Sequence, residues 1–324
     1  MPRILPPDCA VHVVMNAGSG GDDKRSSRQT LEEAFAAGGS QAVFHLIDDP
    51  KRIGAVIEET RRACRGDGGI LVAAGGDGTV NACAAAAAGT DIPFAVVPLG
   101  TFNYFARDIG MPLEPAAAAA AILDGVVAPA HVARLNQHLF LVNASIGLYV
   151  RLIEEREKHE ATLGRNRLVA VASGLVTALR GHYAMTLDMV VDGKPVQVRT
   201  PLVFLGKNYL QLRNLELDIA ECIAAGEIGV IMLQDANKLT IVGMAWQALL
   251  GRLDAANKLH AFCAQTLEIG TRRSPVSAVI DGEIVALQSP LKVEIQRNAL
   301  QVVRPRPKDA EAEPNSLAAA GGER

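Results

Sequence analysis

The 324-residue chain is 49% hydrophobic and 21% charged, with a formal net charge of −3, which is too apolar and too weakly charged for intrinsic disorder. At about 100–200 residues per domain, that length predicts two domains. A near-neutral balance and only 4% aromatic residues argue against a basic nucleic-acid footprint and a base-stacking platform, so no nucleic-acid partner is expected.

Residues 11–125 alternate short β-branched runs with longer helical ones. VHVVMN (11–16) reads as a buried strand, glycine-rich AGSGG follows, and a helix is expected over about 25–37. QAVFHLI (41–47) is a second strand, followed by a helix through KRIGAVIEETRRACR. GILVAAG (69–75) is a third, then GGDGT and the alanine-rich helix VNACAAAAA. PFAVVPLG (93–100) is the fourth strand, residues 102–109 a short helix, and Pro115 opens an alanine helix stopped by Gly125. The alternation predicts βαβ units, hence a parallel sheet with right-handed crossovers. The alanine tracts supply helix propensity and close packing on that sheet.

The character changes after Pro129. HVARLNQHLFLVNASIG reads as hairpin-like strands, residues 151–179 as a long helical stretch with interleaved charges, and 184–206 as strands around the tight-turn pair Asp192-Gly193. GVIML (229–233) is another strand, a second helical region runs from Leu239 to about Ala261, and strands around Asp281-Gly282 complete an antiparallel, largely β second domain. Residues 305–324, rich in proline, charge and small side chains, read as a disordered tail.

Five cysteines (Cys9, Cys64, Cys83, Cys222, Cys263) lie far apart with no C-x-x-C pair. That usage fits reduced thiols in a cytoplasmic protein better than a disulfide framework or zinc site. The N-terminus lacks a secretory pattern, and no run nears the ~18 apolar residues of a membrane span. Peripheral contact with a membrane surface stays open. Residues 239–250 with Trp246 either pack on the second domain or skim an interface.

Three glycine loops each follow a strand and open a helix: 16–21 (NAGSGG), 75–79 (GGDGT) and 98–103 (PLGTFN). Glycines there let backbone approach a phosphate, and free N–H groups at helix starts favour an anion. Asn16, Ser19, Thr79, Asn81, Thr101 and Asn103 add polar donors. The loops match neither G-x-G-x-x-G nor the lysine-bearing P-loop. Asp77, an acid inside such a loop, either works through a divalent cation or N-caps the helix that follows.

GGDGT with the downstream PLGT-x-N-x-FAR loop (Pro98 to Arg107) resembles the diacylglycerol kinase catalytic-domain family, which includes bacterial lipid kinases and the sphingosine and ceramide kinases. FLVNASIG (140–147), LGRNRLVAVASGLVTALR and VSAVIDGEIV (276–285) extend the resemblance to about Arg304. It implies an α/β fold: an N-terminal phosphofructokinase-like parallel-sheet domain, residues 1–129, completed by a strand within about 292–304. It also implies a β-rich, antiparallel sandwich-like lipid-substrate domain, residues 130–291, with the active site in the interdomain cleft. By position, Gly75, Gly76, Asp77, Gly78, Thr79 and Asn81 would hold ATP, with Asn16 and Ser19 near its phosphates and Thr101 across from them. Glu283 of the D-G-E element would be the general base, with Asp281 beside it and Asp77 also catalytic. Spacing alone reads Asp281-Gly282 as a hairpin turn.

The reaction so implied is magnesium-dependent transfer of the γ-phosphoryl group of ATP to a lipid hydroxyl at a membrane surface, most simply that of diacylglycerol. Phosphorylation of a soluble acceptor, as in NAD kinases, and an idle nucleotide-binding regulator are the alternatives. Three departures stand out. Alanine follows Asn16 where the family usually has proline. Phe102 and Tyr104 replace common glycine and aspartate, implying a narrower, less acidic cleft. Ala224-Ala225-Gly226 replaces the aspartate-glycine segment of a structural magnesium site, so no metal ligands are assigned.

Overall fold

The computed structural model describes residues 3–6, 9–16, 21–151, 153–154, 184–213, 219, 221–233 and 259–306. A two-residue strand, β1 (Arg3–Ile4), precedes four parallel strands, β2 (Val11–Asn16), β3 (Ala42–Ile47), β4 (Ile70–Gly75) and β5 (Pro93–Pro98), arranged in the order β3-β2-β4-β5. All of β4 and β5 and nearly all of β2 are buried, which is why they read as unbroken apolar runs rather than alternating ones. The crossovers are α1 (Gly21–Ala37), α2 (Ile53–Asp67) and α3 (Asp77–Ala87), followed by α4 (Tyr104–Asp108) and α5 (Pro115–Leu123). Both alanine helices pack as expected: α3 buries Val80, Cys83, Ala84 and Ala87, and α5 buries Ala118, Ala119 and Ile122. α1 starts before the expected residue 25.

The remaining strands are antiparallel. They are β6 (Val126–Leu135), β7 (His138–Phe140), β8 (Asn143–Gly147), β9 (Met185–Val191), β10 (Lys194–Thr200), β11 (Leu202–Gly206), β12 (Ile228–Leu233), β13 (Leu259–Ala264), β14 (Thr266–Thr271), β15 (Val276–Ile280), β16 (Glu283–Leu287) and β17 (Leu291–Arg304). Six of them form a separate sheet in the order β13-β12-β11-β8-β15-β16. The others join the parallel sheet through β17, which makes one continuous path β10-β9-β14-β17-β5-β4-β2-β3. The 14-residue β17 pairs antiparallel with β14 at its start and parallel with β5 near its end, at Gln301 and Val302. A bulge between Gln296 and Leu300, against β6, separates the two halves. The six-stranded sheet faces the antiparallel half of the larger one across a core that includes Leu135, Phe140, Ile146, Leu187, Val203, Val230, Leu267 and Leu291. The protein is therefore an N-terminal parallel-sheet unit joined to a C-terminal antiparallel sandwich.

Several sequence expectations change. Cys222 and Cys263 are joined by a disulfide, so the expectation of five reduced thiols is wrong; helix 221–224 and β13 bring together two cysteines that spacing alone could not pair. Cys9, Cys64 and Cys83 are free. The second helical region does not reach Ala261, because Leu259 already belongs to β13; cross-strand pairing with β12 overrides local propensity. β6 runs through the expected boundary at residue 129. Asp192-Gly193 and Asp281-Gly282 both adopt positive φ, as two-residue hairpin turns require. Residues 148–151 are helical, whereas Ser19, all of 155–179, residues 239–258 and the tail past 306 lie outside the described residues. Among the described residues no helix is long and apolar enough to cross a membrane.

Gly147, at the end of β8, has φ +90°, and a Cβ there would run into the Pro201 carbonyl oxygen. Gly147→Ala is expected to cost about 1–3 kcal/mol from backbone strain alone. Denaturant unfolding reads it; an unchanged midpoint would contradict the placement.

Candidate active site between the two halves

β4 and β5 each end in a glycine-bearing loop, and the two loops are in van der Waals contact. Leu99 N–H donates to the Gly75 carbonyl at 3.0 Å. A Cβ on Gly100 would stand 2.6 Å from Gly76 Cα, and one on Gly75 would stand 2.8 Å from Thr79 Cβ. Only glycine allows this approach, and it leaves the start of α3 lined by bare backbone. Asn103, with φ +52°, closes the second loop. Its side-chain oxygen accepts from Gly100 N–H at 3.0 Å while its amide donates to Gly100 O at 2.8 Å.

Asp77 joins these loops, but not as expected. The N-cap of α3 is Gly76, without a side-chain bond, and Asp77 is the first helical residue. Its carboxylate instead accepts from the backbone N–H groups of Asn103 at 3.1 Å and Tyr104 at 2.9 Å. It caps α4, a helix in the neighbouring loop, and the expectation that it caps its own helix is corrected. Burial raises the Asp77 pKa above the usual carboxylate range, while those N–H groups pull the other way.

The β15–β16 hairpin meets the other side of α3. Asp281, at its turn, accepts from four donors: Leu141 N–H at 2.8 Å, Val142 N–H and Asn143 N–H at 2.9 Å, and the Asn81 amide at 2.6 Å. Asn81 also donates to Leu139 O at 3.0 Å, so it clasps α3 to the second half. Burial raises the Asp281 pKa, opposed by the same N–H groups. Asp281 thus holds the hairpin, and the neighbouring Glu283 is left to face the loop: a Cβ on Gly78 would stand 2.9 Å from Glu283 Oε1. Gly78, Asn81, Leu139, Ile280, Asp281 and Glu283 line a cavity of about 160 Å³ between the two halves.

The structure therefore brings Gly75, Gly76, Asp77, Gly78, Thr79, Asn81, Asp281 and Glu283 together around the start of α3. Asn16 ends β2, two strands from β5 in the sheet, and Thr101 is exposed on the Gly100–Asn103 loop. Phe102, 57% exposed, stacks on Tyr104 with ring centroids 5.6 Å apart and planes 9° apart, so the departure noted in the sequence places an aromatic wall beside the loop. Sequence reasoning missed Asn208. Its amide donates to Tyr104 O at 3.1 Å, and Leu210 N–H reaches Asp108 at 3.4 Å, fixing α4 to the segment after β11. A polar pair directly after an apolar strand was the available signal.

Known proteins bear on this geometry. Residues 10–135 match the diacylglycerol kinase catalytic domain. The chain is 23% identical over 279 residues to an uncharacterized protein of Synechocystis, covering 82% of this chain but only 62% of that relative's length. It is 26% identical over 246 residues to a diacylglycerol kinase of Bacillus subtilis, covering 74% of this chain and 78% of that one. The crystal structure of a diacylglycerol kinase from Bacillus anthracis superposes with a TM-score of 0.68 at 19% identity, covering 92% of this chain and 97% of that chain. That likeness establishes the shared fold.

Asp281→Asn keeps the size of the side chain but replaces one acceptor oxygen with an amide that faces donors. Hydrogen bonds to a charged group are each worth about 1.5–3 kcal/mol, so a stability loss on the order of 3 kcal/mol is expected. Calorimetry of the purified variant checks this, and wild-type stability would remove Asp281 from its clamping role.

Proposed function

We propose that the chain, whose residues 10–135 match the diacylglycerol kinase catalytic domain, transfers the γ-phosphoryl group of ATP to the hydroxyl of a lipid, most simply diacylglycerol. The observation that carries this reading is Glu283 Oε1 beside Gly78, a carboxylate from one half opposite an anion-binding loop of the other. A lipid hydroxyl must lose a proton as it attacks phosphorus, and a positioned carboxylate accepts it. Glu283 is the exposed carboxylate of the pair, whereas Asp281 spends both oxygens on its four donors.

The glycine cradle suits a nucleotide phosphate. The backbone N–H groups at the start of α3 and the positive end of its dipole favour an anion, and Gly76 and Gly78 offer no Cβ to obstruct it. In this reading Gly75 to Thr79 hold ATP, with Asn16, Ser19 and Thr101 around them, while Asn81 serves the clasp. Magnesium would neutralise phosphate charge. With Asp77 and Asp281 both engaged by N–H groups, the ion arrives with the nucleotide rather than in a protein cage.

An amphiphilic acceptor also has room. β8 leads from Asn143, bonded to Asp281, to Gly147 on the wall of a second cavity of about 570 Å³. Val150, Met185 and Val276 line it together with Arg272, Arg273 and Glu154, a mixed apolar and charged surface. At the usual strand rise the two ends of β8 stand about 13 Å apart, within the length of an acyl chain. That favours a lipid over a soluble acceptor such as NAD, and peripheral contact with a membrane follows from the substrate.

Glu283→Gln is expected to lower the maximal rate by ~10²–10⁴-fold with little change in KM for ATP. The assay is radiolabelled ATP with mixed micelles of candidate lipids and separation of organic-phase product. Near wild-type turnover by the variant would exclude Glu283 as the base, and label appearing only in an aqueous acceptor would exclude the lipid.

A further inference from the structure

Residues 207–213 and 221–227 tie the second half to the nucleotide loop. At one end, Asn208 and Leu210 bond to α4, whose N-terminus Asp77 caps. At the other, helix 221–224 packs through Cys222 and Ile223 on Leu212 and Ile231. This is also where Ala224-Ala225-Gly226 stands in place of hard-metal ligands. No carboxylate of that tripeptide can clamp the segment; the clamp is the Cys222–Cys263 disulfide to β13.

Its two sulfurs are in unequal surroundings. Cys222 is 3% exposed, whereas Cys263 belongs to an exposed position on an edge strand. Carboxylate oxygen of Glu227 and both sulfurs all lie within 4.8 Å of one another. Glu227 is itself held by a hydrogen bond from the Gln265 amide at 3.2 Å.

We propose that Cys222 and Cys263 form a reversible dithiol/disulfide site, exchanged by a small or protein dithiol, that sets how firmly Asn208 and Leu210, through Leu212 packed beside Cys222, hold α4 and the nucleotide loop. A thiolate of the reductant attacks the accessible Cys263 sulfur. The Cys222–Cys263 bond breaks, and Cys222 leaves as thiolate and takes a proton. The reductant's second thiolate then attacks its own sulfur in the mixed disulfide, which frees Cys263 as a thiol and leaves the reductant as a disulfide. Two electrons and two protons pass to the protein. The oxidised form is the clamped one, and loosening it raises the cost of ordering α4 around a nucleotide. The link to ATP rests on the kinase reading above; the thiol chemistry does not.

The test uses the full chain. Denatured without reductant, air-oxidised protein should show three reactive thiols, matching Cys9, Cys64 and Cys83, and five after dithiothreitol. Five before reduction would overturn the proposal. Amide hydrogen exchange on native protein should speed up in residues 207–213 and 221–227 and in α4 on reduction, and in Cys222→Ser or Cys263→Ser without reductant. Unchanged exchange would overturn the coupling. KM for ATP should rise about fivefold or more on reduction, with both serine variants resembling reduced wild type and insensitive to dithiothreitol. Equal KM in both redox states, in an enzyme that turns over, would also overturn it. Protein that cycles its thiols and its exchange pattern yet phosphorylates nothing would refute the kinase reading and leave the redox site standing.

Discussion

The buried carboxylate of Asp281 is the point on which the two halves of the molecule depend. Three successive N–H groups, from Leu141 to Asn143, and one amide from α3 all converge on it. The backbone after β7 would otherwise present those N–H groups to a dry junction, where each unpaired group costs about 1–3 kcal/mol. Satisfying them requires an anion with two oxygens at one position, and an aspartate at a positive-φ turn supplies it. The same anion draws Asn81 across the interface and so registers the D-G-E hairpin against the nucleotide loop. Glu283, two residues later, inherits its position from this registration.

A second constraint is the shared sheet. Because β17 pairs with β14 and β6 in the sandwich and then with β5 in the parallel unit, the halves are joined by backbone hydrogen bonds rather than by a linker. The bulge between Gln296 and Leu300 lets one strand serve both environments, since an extra residue bends a strand and increases its twist. The cleft at α3 thus lies beside a rigid seam.

Much of this was legible in the sequence, for physical reasons that differ by region. The parallel strands were readable because burial on both faces leaves unbroken β-branched runs, as in ILVAAG (70–75). The alanine helices were readable because few other structures use such tracts. The strand at 259–264 was missed, since LHAFCA (259–264) carries no alternation and its pairing partner β12 lies more than twenty residues away. The site was half legible. GGDGT and D-G-E are elements that the fold brings together, yet the contacts within that junction depend on which N–H groups each carboxylate meets. No local pattern shows that Asp77 caps a helix 27 residues later, or that Asp281 serves backbone 140 residues earlier. The disulfide was invisible for the same reason: it closes a separation of 41 residues across a sheet edge.

The division of labour among the three acids follows from what a phosphate tolerates. Two unit charges of like sign about 4 Å apart repel by roughly 4 kcal/mol at an effective dielectric near 20. Three bare carboxylates around a glycine cradle would therefore defeat anion binding at the very place where backbone N–H groups favour it. The structure resolves the conflict by spending two of the charges. Asp77 faces the N-terminus of α4, and Asp281 faces three backbone N–H groups and an amide, so each field is largely cancelled at its source. Only Glu283 remains without such a backbone cluster among the described hydrogen bonds, and it stands on the acceptor side of the cleft. In the proposed reaction its charge is the usable one, because it would be neutralised on taking the proton of the attacking hydroxyl. An acid inside this glycine loop is thus compatible with the proposed phosphate site: in this fold it is a helix cap whose charge has already been answered.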